Sequence, residues 1–403
     1  MMNENLESNE SKQPSYEEWL ALASLGATRP TDYDLTSSST KAKNEEWTEE
    51  ELLLAENISF LVNKNSAGLA ETALPLIGLH LFNYSRENKN ADEQQILYEL
   101  GKIKKFSDME KEYGDESNPL PTVGFELEIP QARASKEMRG VLNSLRVNNE
   151  RDPTGMLEIN PRYSYSPWVA GKLLQEVSKA GYIRNVTKIG QEPVAGDLSL
   201  HLSFGVPKGL EATKRLVGMQ RITDLFTYAF VSPERIENRK TNTSLMVKKE
   251  HTEESKKFKD EKNSTDDKQT LSPYRVEIRP TEFRGKSSFR MIAEAQLIMG
   301  LYFSQLKKDE EREIPEVEKM LSQIYLKFDD EIRNLFAEYK LNPRQYDKNN
   351  KSEAIITMEP IREEQLKPFS DEVFVEKCRS LITEYARKAS LTIKDQMSKR
   401  SKI

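Results

Sequence analysis

Four short runs in this chain carry acids, a histidine and arginines at alternate positions: TVGFELEI (122–129), MLEIN (156–160), DLSLHLSF (197–204) and YRVEIR (274–279). Strict alternation of apolar and polar residues is the period of a half-buried strand, whose neighbouring side chains point to opposite faces. One face of each run is therefore greasy. The other collects Glu126 and Glu128 in the first run, Glu158 and Asn160 in the second, Ser199, His201 and Ser203 in the third, and Arg275, Glu277 and Arg279 in the fourth. A turn supplies a fifth carboxylate. Asp152-Pro153-Thr154-Gly155 has the residues of a type I turn, and a left-handed Gly after it makes a three-residue hairpin with a bulge. In that register Asp152 pairs with Met156 and Glu150 lies across from Glu158, whereas a two-residue loop would send Glu150 to the other face.

Like charges facing one another on a sheet are destabilising. A cluster of such carboxylates needs compensation, either by raised pKa values or by bound cations. Oxygen-rich sites suit hard ions such as Mg²⁺ or Mn²⁺, and two such ions can bridge the phosphates of a nucleotide.

The elements that hold these residues follow from the rest of the pattern. Residues 1–46 read as linker around one short amphipathic helix near Pro14 to Leu25, and 47–118 as a helical N-terminal region. Thr48 caps an acidic first turn that opens its first helix, and Leu69 to Tyr84 and Ala91 to Ile103 predict two more. The strands fall within 119–307, with helices between them. Ser166-Pro167-Trp168 opens one such helix and Gly181 is placed to close it. A second spans about Leu210 to Phe230 and a third Ser288 to Leu306, while 248–270 is nearly devoid of apolar side chains and reads as a surface insertion. Residues 308–403 read as a helical C-terminal region, with helices over Glu313 to Tyr339 and Glu372 to Ile393. The fold class is α+β: a curved antiparallel sheet with a carboxylate-lined concave face, backed by helices and flanked by helical regions.

Composition narrows the function. The 403 residues are 36% hydrophobic and 31% charged, which predicts a real core diluted by solvated helices. A net charge of −6 argues against a nucleic-acid partner, because phosphate binding normally needs a basic face. The opening MMNENLESNESK lacks the apolar stretch of a signal peptide. No apolar run approaches the roughly 20 residues that span a bilayer. One cysteine, Cys378, forms no internal disulfide, so the expected compartment is the reducing cytoplasm.

Taken in order, the motifs resemble the carboxylate–amine ligases of the glutamine synthetase fold, a group that includes glutamate–cysteine ligase and the amidoligases. GFELEI (124–129) looks like the family's Glu-x-Glu strand. Glu150, followed eight residues later by Glu158 in GMLEIN (155–160), looks like its paired glutamates. SLHLS (199–203) looks like the strand with the metal-binding histidine, and RVEIRP (275–280), followed by MIAEAQLIMGL, looks like the closing Glu-x-Arg strand and its helix. The resemblance covers 121–302, a little under half of the chain. It implies one metal on Glu128, Glu150 and Glu158 and a second on Glu126, His201 and Glu277. Arg279 would contact the transferred phosphoryl group, with Arg275 and Ser203 beside it on the nucleotide side and Glu277 and Arg279 as the catalytic pair. The implied cofactors are ATP and two Mg²⁺ or Mn²⁺ ions, the implied partners a small-molecule carboxylate and an amine, and homo-oligomers are left open. The implied reaction forms an acyl phosphate that an amine or ammonia then displaces, so no protein nucleophile is needed. The chain departs from the family in three places. Residues 1–118 read as helical where glutamine synthetase has a small β domain, Ser203 stands where a second histidine often follows the first, and only Arg235, Arg239 and Lys240 are candidates for the family's further arginines.

Each feature also has an ordinary reading. Acids on a half-buried strand can be a solvated face, a lone histidine a satisfied one, and Glu277 with Arg279 a structural ion pair. A non-catalytic relative of the family and a metal-dependent phosphohydrolase are the competing functions. His80 in LIGLHLFNY reads as a helix core or boundary residue, His251 lies in the charged insertion without zinc-like neighbours, and Cys378 reads as helix packing. Ser37–Ser39 lack the context of a nucleophile elbow, and there is no glycine-rich phosphate loop.

Overall fold

A computed structural model describes residues 47–113, 119–129, 136–151, 157–160, 166–179, 199–207, 210, 219–231, 245–249, 274–279, 286–309, 313–344, 355–356, 359 and 361–400. In chain order the N-terminal helices are α1 (Glu49–Lys64), α2 (Leu74–Glu87) and α3 (Glu93–Tyr113). The central part holds β1 (Val123–Ile129), α4 (Lys136–Ser144), β2 (Asn149–Arg151), β3 (Leu157–Ile159), α5 (Pro167–Lys179), β4 (Ser199–Gly205), α6 (Met219–Phe230), β5 (Leu245–Lys249), β6 (Tyr274–Ile278) and α7 (Lys286–Asp309). The C-terminal part holds α8 (Glu316–Glu338), β7 (Ile355–Ile356) and α9 (Glu372–Arg400). No described helix is long and apolar enough to cross a membrane.

Local chemistry explains the helix starts. The Thr48 hydroxyl accepts from Glu51 N at 3.2 Å while Glu51 Oε2 accepts from Thr48 N at 3.1 Å, a reciprocal capping box that satisfies two orphan donors of α1. Ser166 Oγ accepts from Val169 N at 3.3 Å at the head of α5, and Pro167 needs no partner at the first helical position. The Gly181 stop and the expected helix ahead of Met219, apart from Leu210, lie outside the described residues, as does the 1–46 linker.

Among the described residues seven strands form one antiparallel sheet in the order β2-β3-β1-β4-β6-β5-β7. Its greasy face consists of Val123, Phe125, Leu127, Leu157, Ile159, Leu200, Leu202, Phe204, Val276 and Ile278, all buried. Helices α5 and α7 pack behind it, and the α7 side chain Gln296 donates to Pro121 O at 2.7 Å to tie that helix to the entry of β1. One apolar core runs from Ala55 on α1 to Ile393 on α9, so the helical flanks and the sheet share an interior.

Two expectations are corrected. The charged insertion does not begin at 248: Lys248 and Lys249 belong to β5, in register with Arg275 and Tyr274. Ladder hydrogen bonds are made by backbone groups, so two lysines extend a strand as well as apolar residues do. Residues 250–273 lie outside the described residues. The C-terminal region is not all helical either, because Ile355 and Ile356 pair with Lys248 and Val247. A two-residue strand carries no periodicity from which to read it.

Polar contacts lock the N-terminal helices to α5. His80 on α2 lies between Glu99 of α3, 3.2 Å from Nε2, and Glu176 of α5, 3.6 Å from Nδ1. Lys102 and Lys179 stand at 3.0 and 3.3 Å from the same two carboxylates, and Asn83 donates to Glu176 Oε2 at 2.9 Å. His80, expected as a helix core or boundary residue, is half-buried between three helices and is the hub of a charged junction. Burial works against a charge on the ring, but hydrogen bonding and attraction from Glu176 and Glu99 outweigh it and raise its pKa above the ordinary 6.5. Burial also opposes a charge on Glu176, yet its partners, His80 first, hold it down to about 2 from an ordinary 4.5.

A histidine of raised pKa contributes stability that is complete below pH 6.5 and is lost as the pH climbs through its folded value, while Glu176 contributes above pH 4.5 and is lost toward pH 2. The melting temperature is therefore expected to fall as the pH rises above 6.5. His80→Gln should flatten that fall, and parallel profiles for the two proteins would contradict the assignment. A second expectation concerns Gly205, where an added Cβ would lie 2.4 Å from Thr122 Oγ1. Gly205→Ala should cost about 1–3 kcal/mol in denaturant unfolding. Adding Thr122→Ala should recover most of it.

Candidate metal centre

Strand pairing decides which of the polar side chains meet. The β1–β4 ladder sets Glu126 opposite His201 and Glu128 opposite Ser199. The β4–β6 ladder sets Ser203 opposite Glu277, one step further along. On the other side of β1, Glu128 pairs with Glu158 and Glu158 with Glu150. That last pairing is the register expected of the bulged hairpin, although its turn, 152–156, lies outside the described residues. The acids therefore fall in three neighbouring rows: Glu150, Glu158 and Glu128 in the first, Glu126 with His201 in the second, and Glu277 with Ser203 in the third.

Three side chains converge. His201 Nδ1 lies 3.3 Å from Glu126 Oε2 and 3.7 Å from Glu277 Oε1, and one ligand atom from each residue lies within 4.8 Å of the others. All three residues are buried, and Glu277 has no exposed surface. Donor atoms bound to one small ion at about 2.1 Å are about 3 Å apart when adjacent and about 4 Å apart when opposite. The triad is thus a small contraction away from holding a single cation, with two carboxylates and one imidazole. Mixed oxygen and nitrogen donors suit Mn²⁺ better than Mg²⁺.

The neighbours are chemically apt. Glu128 Oε1 stands 3.7 Å from His201 Nε2, on the side where a ligating imidazole carries its N–H and where a carboxylate orients the ring. Asn160 Nδ2 lies 3.5 Å from Glu126 Oε1. Arg279 Nε donates to Glu277 Oε1 at 2.5 Å, and Arg275 Nη2 stands 3.7 Å from Glu277 Oε2. Two guanidiniums offset the deeply buried carboxylate, Arg279 at the oxygen that also faces His201 and Arg275 near the other, so the sheet face runs from an acidic half on β1–β3 to a basic strand, β6.

Of the expected site residues, Glu126, His201, Glu277, Arg279 and Arg275 come together, and Glu128 touches the group through His201. Glu158 and Glu150 share its backbone row, but among the described residues Glu126, His201 and Glu277 form the one compact three-ligand group. Ser203 is buried and faces Glu277 in register. Arg235, Arg239 and Lys240 lie outside the described residues. Asn160 was not singled out as a site residue, though period two already places it on the face of Glu158. Strand β5 sets Met246 opposite Glu277, and its run LMVKK has no apolar–polar alternation from which to read a strand. No family model and no curated protein matches this sequence.

Mn²⁺ is expected to raise the melting temperature and to bind at one equivalent per chain in the absence of nucleotide, read by the loss of free-ion paramagnetic resonance signal. At 100 times its Kd the ion would stabilise by about 2.7 kcal/mol. Glu126→Gln and His201→Ala should each abolish both effects. Full binding in both variants would mean the triad holds no ion.

Proposed function

We propose that this chain is an ATP- and divalent-metal-dependent ligase that joins a small carboxylate to an amine or ammonia through an acyl phosphate. The observation that carries the reading is the convergence of Glu126, His201 and Glu277 on one buried spot with Arg279 and Arg275 beside Glu277. Cation ligands next to guanidiniums fit a substrate that brings both phosphates and metal ions. The ordered resemblance to glutamine synthetase-type ligases supports the same reading.

In this proposal the triad binds one ion, and the row Glu128, Glu158 and Glu150 takes a second that arrives with the nucleotide. The ions supply charge neutralisation to the phosphates. Arg279 turns from Glu277 to the γ-phosphoryl oxygens, where its fork matches their geometry. Arg275 and Ser203 line the nucleotide side. A substrate carboxylate oxygen attacks the γ-phosphorus and ADP leaves. The amine nitrogen then attacks the acyl carbon, phosphate departs, and the nitrogen loses a proton to leave an amide. Positioning and electrostatics carry the rate, with no covalent enzyme intermediate.

One observation favours a second reading. The 2.5 Å contact of Arg279 with Glu277 places a cationic side chain against a proposed metal ligand, an arrangement that a non-catalytic relative could keep permanently.

The test is phosphate release by the full chain with Mn²⁺ or Mg²⁺, ATP, an amino-acid carboxylate and an amine. Release is expected only with both organic substrates, and Glu277→Ala and Glu158→Ala should lower it by about 100-fold or more. Metal and ATP binding without turnover would establish the non-catalytic reading, and release without an amine would establish a phosphohydrolase. If neither ATP binding nor turnover is seen with any pair, the ligase reading fails.

A further inference from the structure

Away from the sheet, a cavity of about 460 Å³ opens between α6 and the end of α8. Its wall carries Arg221, Arg333 and Lys340 together with Phe336, Leu341 and Pro343. The charge there is unbalanced. Asp329 accepts from Arg221 Nε at 2.7 Å and Nη2 at 2.9 Å, and also from Arg333 Nη2 at 2.6 Å. A single buried carboxylate thus holds two guanidiniums. Asp330 reaches Arg333 only at 3.9 Å from a mostly exposed position. Among the described residues no carboxylate pairs with Lys340.

The backbone adds a second, independent observation. Lys340 has φ 55°, in the left-handed region that side-chain-bearing residues rarely adopt. It occupies the position after α8 where helices commonly end on glycine: Lys340 N donates to Ala337 O at 3.0 Å and Leu341 N to Phe336 O at 2.8 Å. These bonds occupy two terminal carbonyls of α8, which lessens their repulsion of an anion. Placing a lysine where glycine fits best costs stability and sets an ammonium at the cavity. Strain of this kind collects at binding sites.

We propose that this cavity binds a small organic anion, a carboxylate or phosphate group on an apolar body, independently of the metal centre. Asp329 pre-positions the two guanidiniums, whose remaining N–H groups and the Lys340 ammonium receive the anionic head. Phe336, Leu341 and Pro343 take the apolar part, as in most small-molecule sites. A bare ion fills neither the volume nor the apolar wall.

Calorimetry on the full chain in a chelator, with phenyl phosphate, phenylacetate and inorganic phosphate as probes, separates the cases. At least one aromatic probe should bind saturably and more tightly than inorganic phosphate, and the stronger of the two identifies the head group. Its affinity should fall by about tenfold or more in Arg333→Gln and in Lys340→Gly, each of which removes one charged contact. Lys340→Gly suits the local backbone, so its melting temperature should not fall and misfolding cannot account for the loss. Arg279→Gln should bind the probe as the wild type does. The proposal is overturned if neither aromatic probe saturates up to about 10 mM, if both cavity variants bind normally, or if Arg279→Gln removes binding.

Discussion

A carboxylate with no exposed surface, Glu277, sits in the middle of a sheet beside two more acids and an imidazole, and charge in such a place has to be matched. Burial of an unpaired carboxylate costs several kcal/mol. Arg279 and Arg275 provide part of the match from the same strand, and they do so only because period two brings residues 275, 277 and 279 to one face. The remaining acids, Glu126 and Glu128, crowd around His201. The centre therefore combines arginines on β6 with acids on β1 around a single imidazole.

Holding that arrangement falls to the greasy face. Ten apolar strand side chains are buried on that face, where β1 meets α5 and α7 and β4 meets α7, and close packing leaves little freedom for the strands to shift. Small features keep the layers in register. Gly205 gives room to Thr122, Gly300 faces Leu120 at a distance where a Cβ would meet it at 2.9 Å, and Gln296 reaches Pro121 O. The N-terminal helices reinforce α5 from the other side through His80, and Glu110 of α3 accepts from Ser166 N at the head of that helix. The sheet face is thus positioned by elements far from it in sequence.

The C-terminal helices use charge inside the fold in a different way. Arg344 and Asp224 form a buried pair, with the Arg344 backbone N also donating to the Asp224 carboxylate at 2.8 Å. Tyr228 stacks among Phe336, Phe369 and Phe374 beside it. Charged residues, so abundant in this composition, are therefore not confined to solvated faces. Arg221, Arg333 and Lys340 gather where α6 and α8 meet because helices 100 residues apart pack together there.

Periodicity let the sequence determine which residues share a face. Alternation assigned Glu126, Glu128, Glu158, His201, Glu277, Arg275 and Arg279 to polar faces because side-chain direction along one strand is a property of the backbone itself. The Glu150–Glu158 register was legible for a related reason: a hairpin's pairing depends on its own turn residues. Which strands lie side by side was decided only in the tertiary structure. Glu126 meets His201, and Ser203 rather than His201 faces Glu277, through ladders between segments about 75 residues apart. No local pattern encodes that offset, because it depends on how distant segments pack together rather than on residues along one strand. The same holds for β5, whose run LMVKK does not alternate, for β7, which is two residues long, and for Arg221, which reaches Arg333 and Lys340 at the end of α8 only when the helices dock.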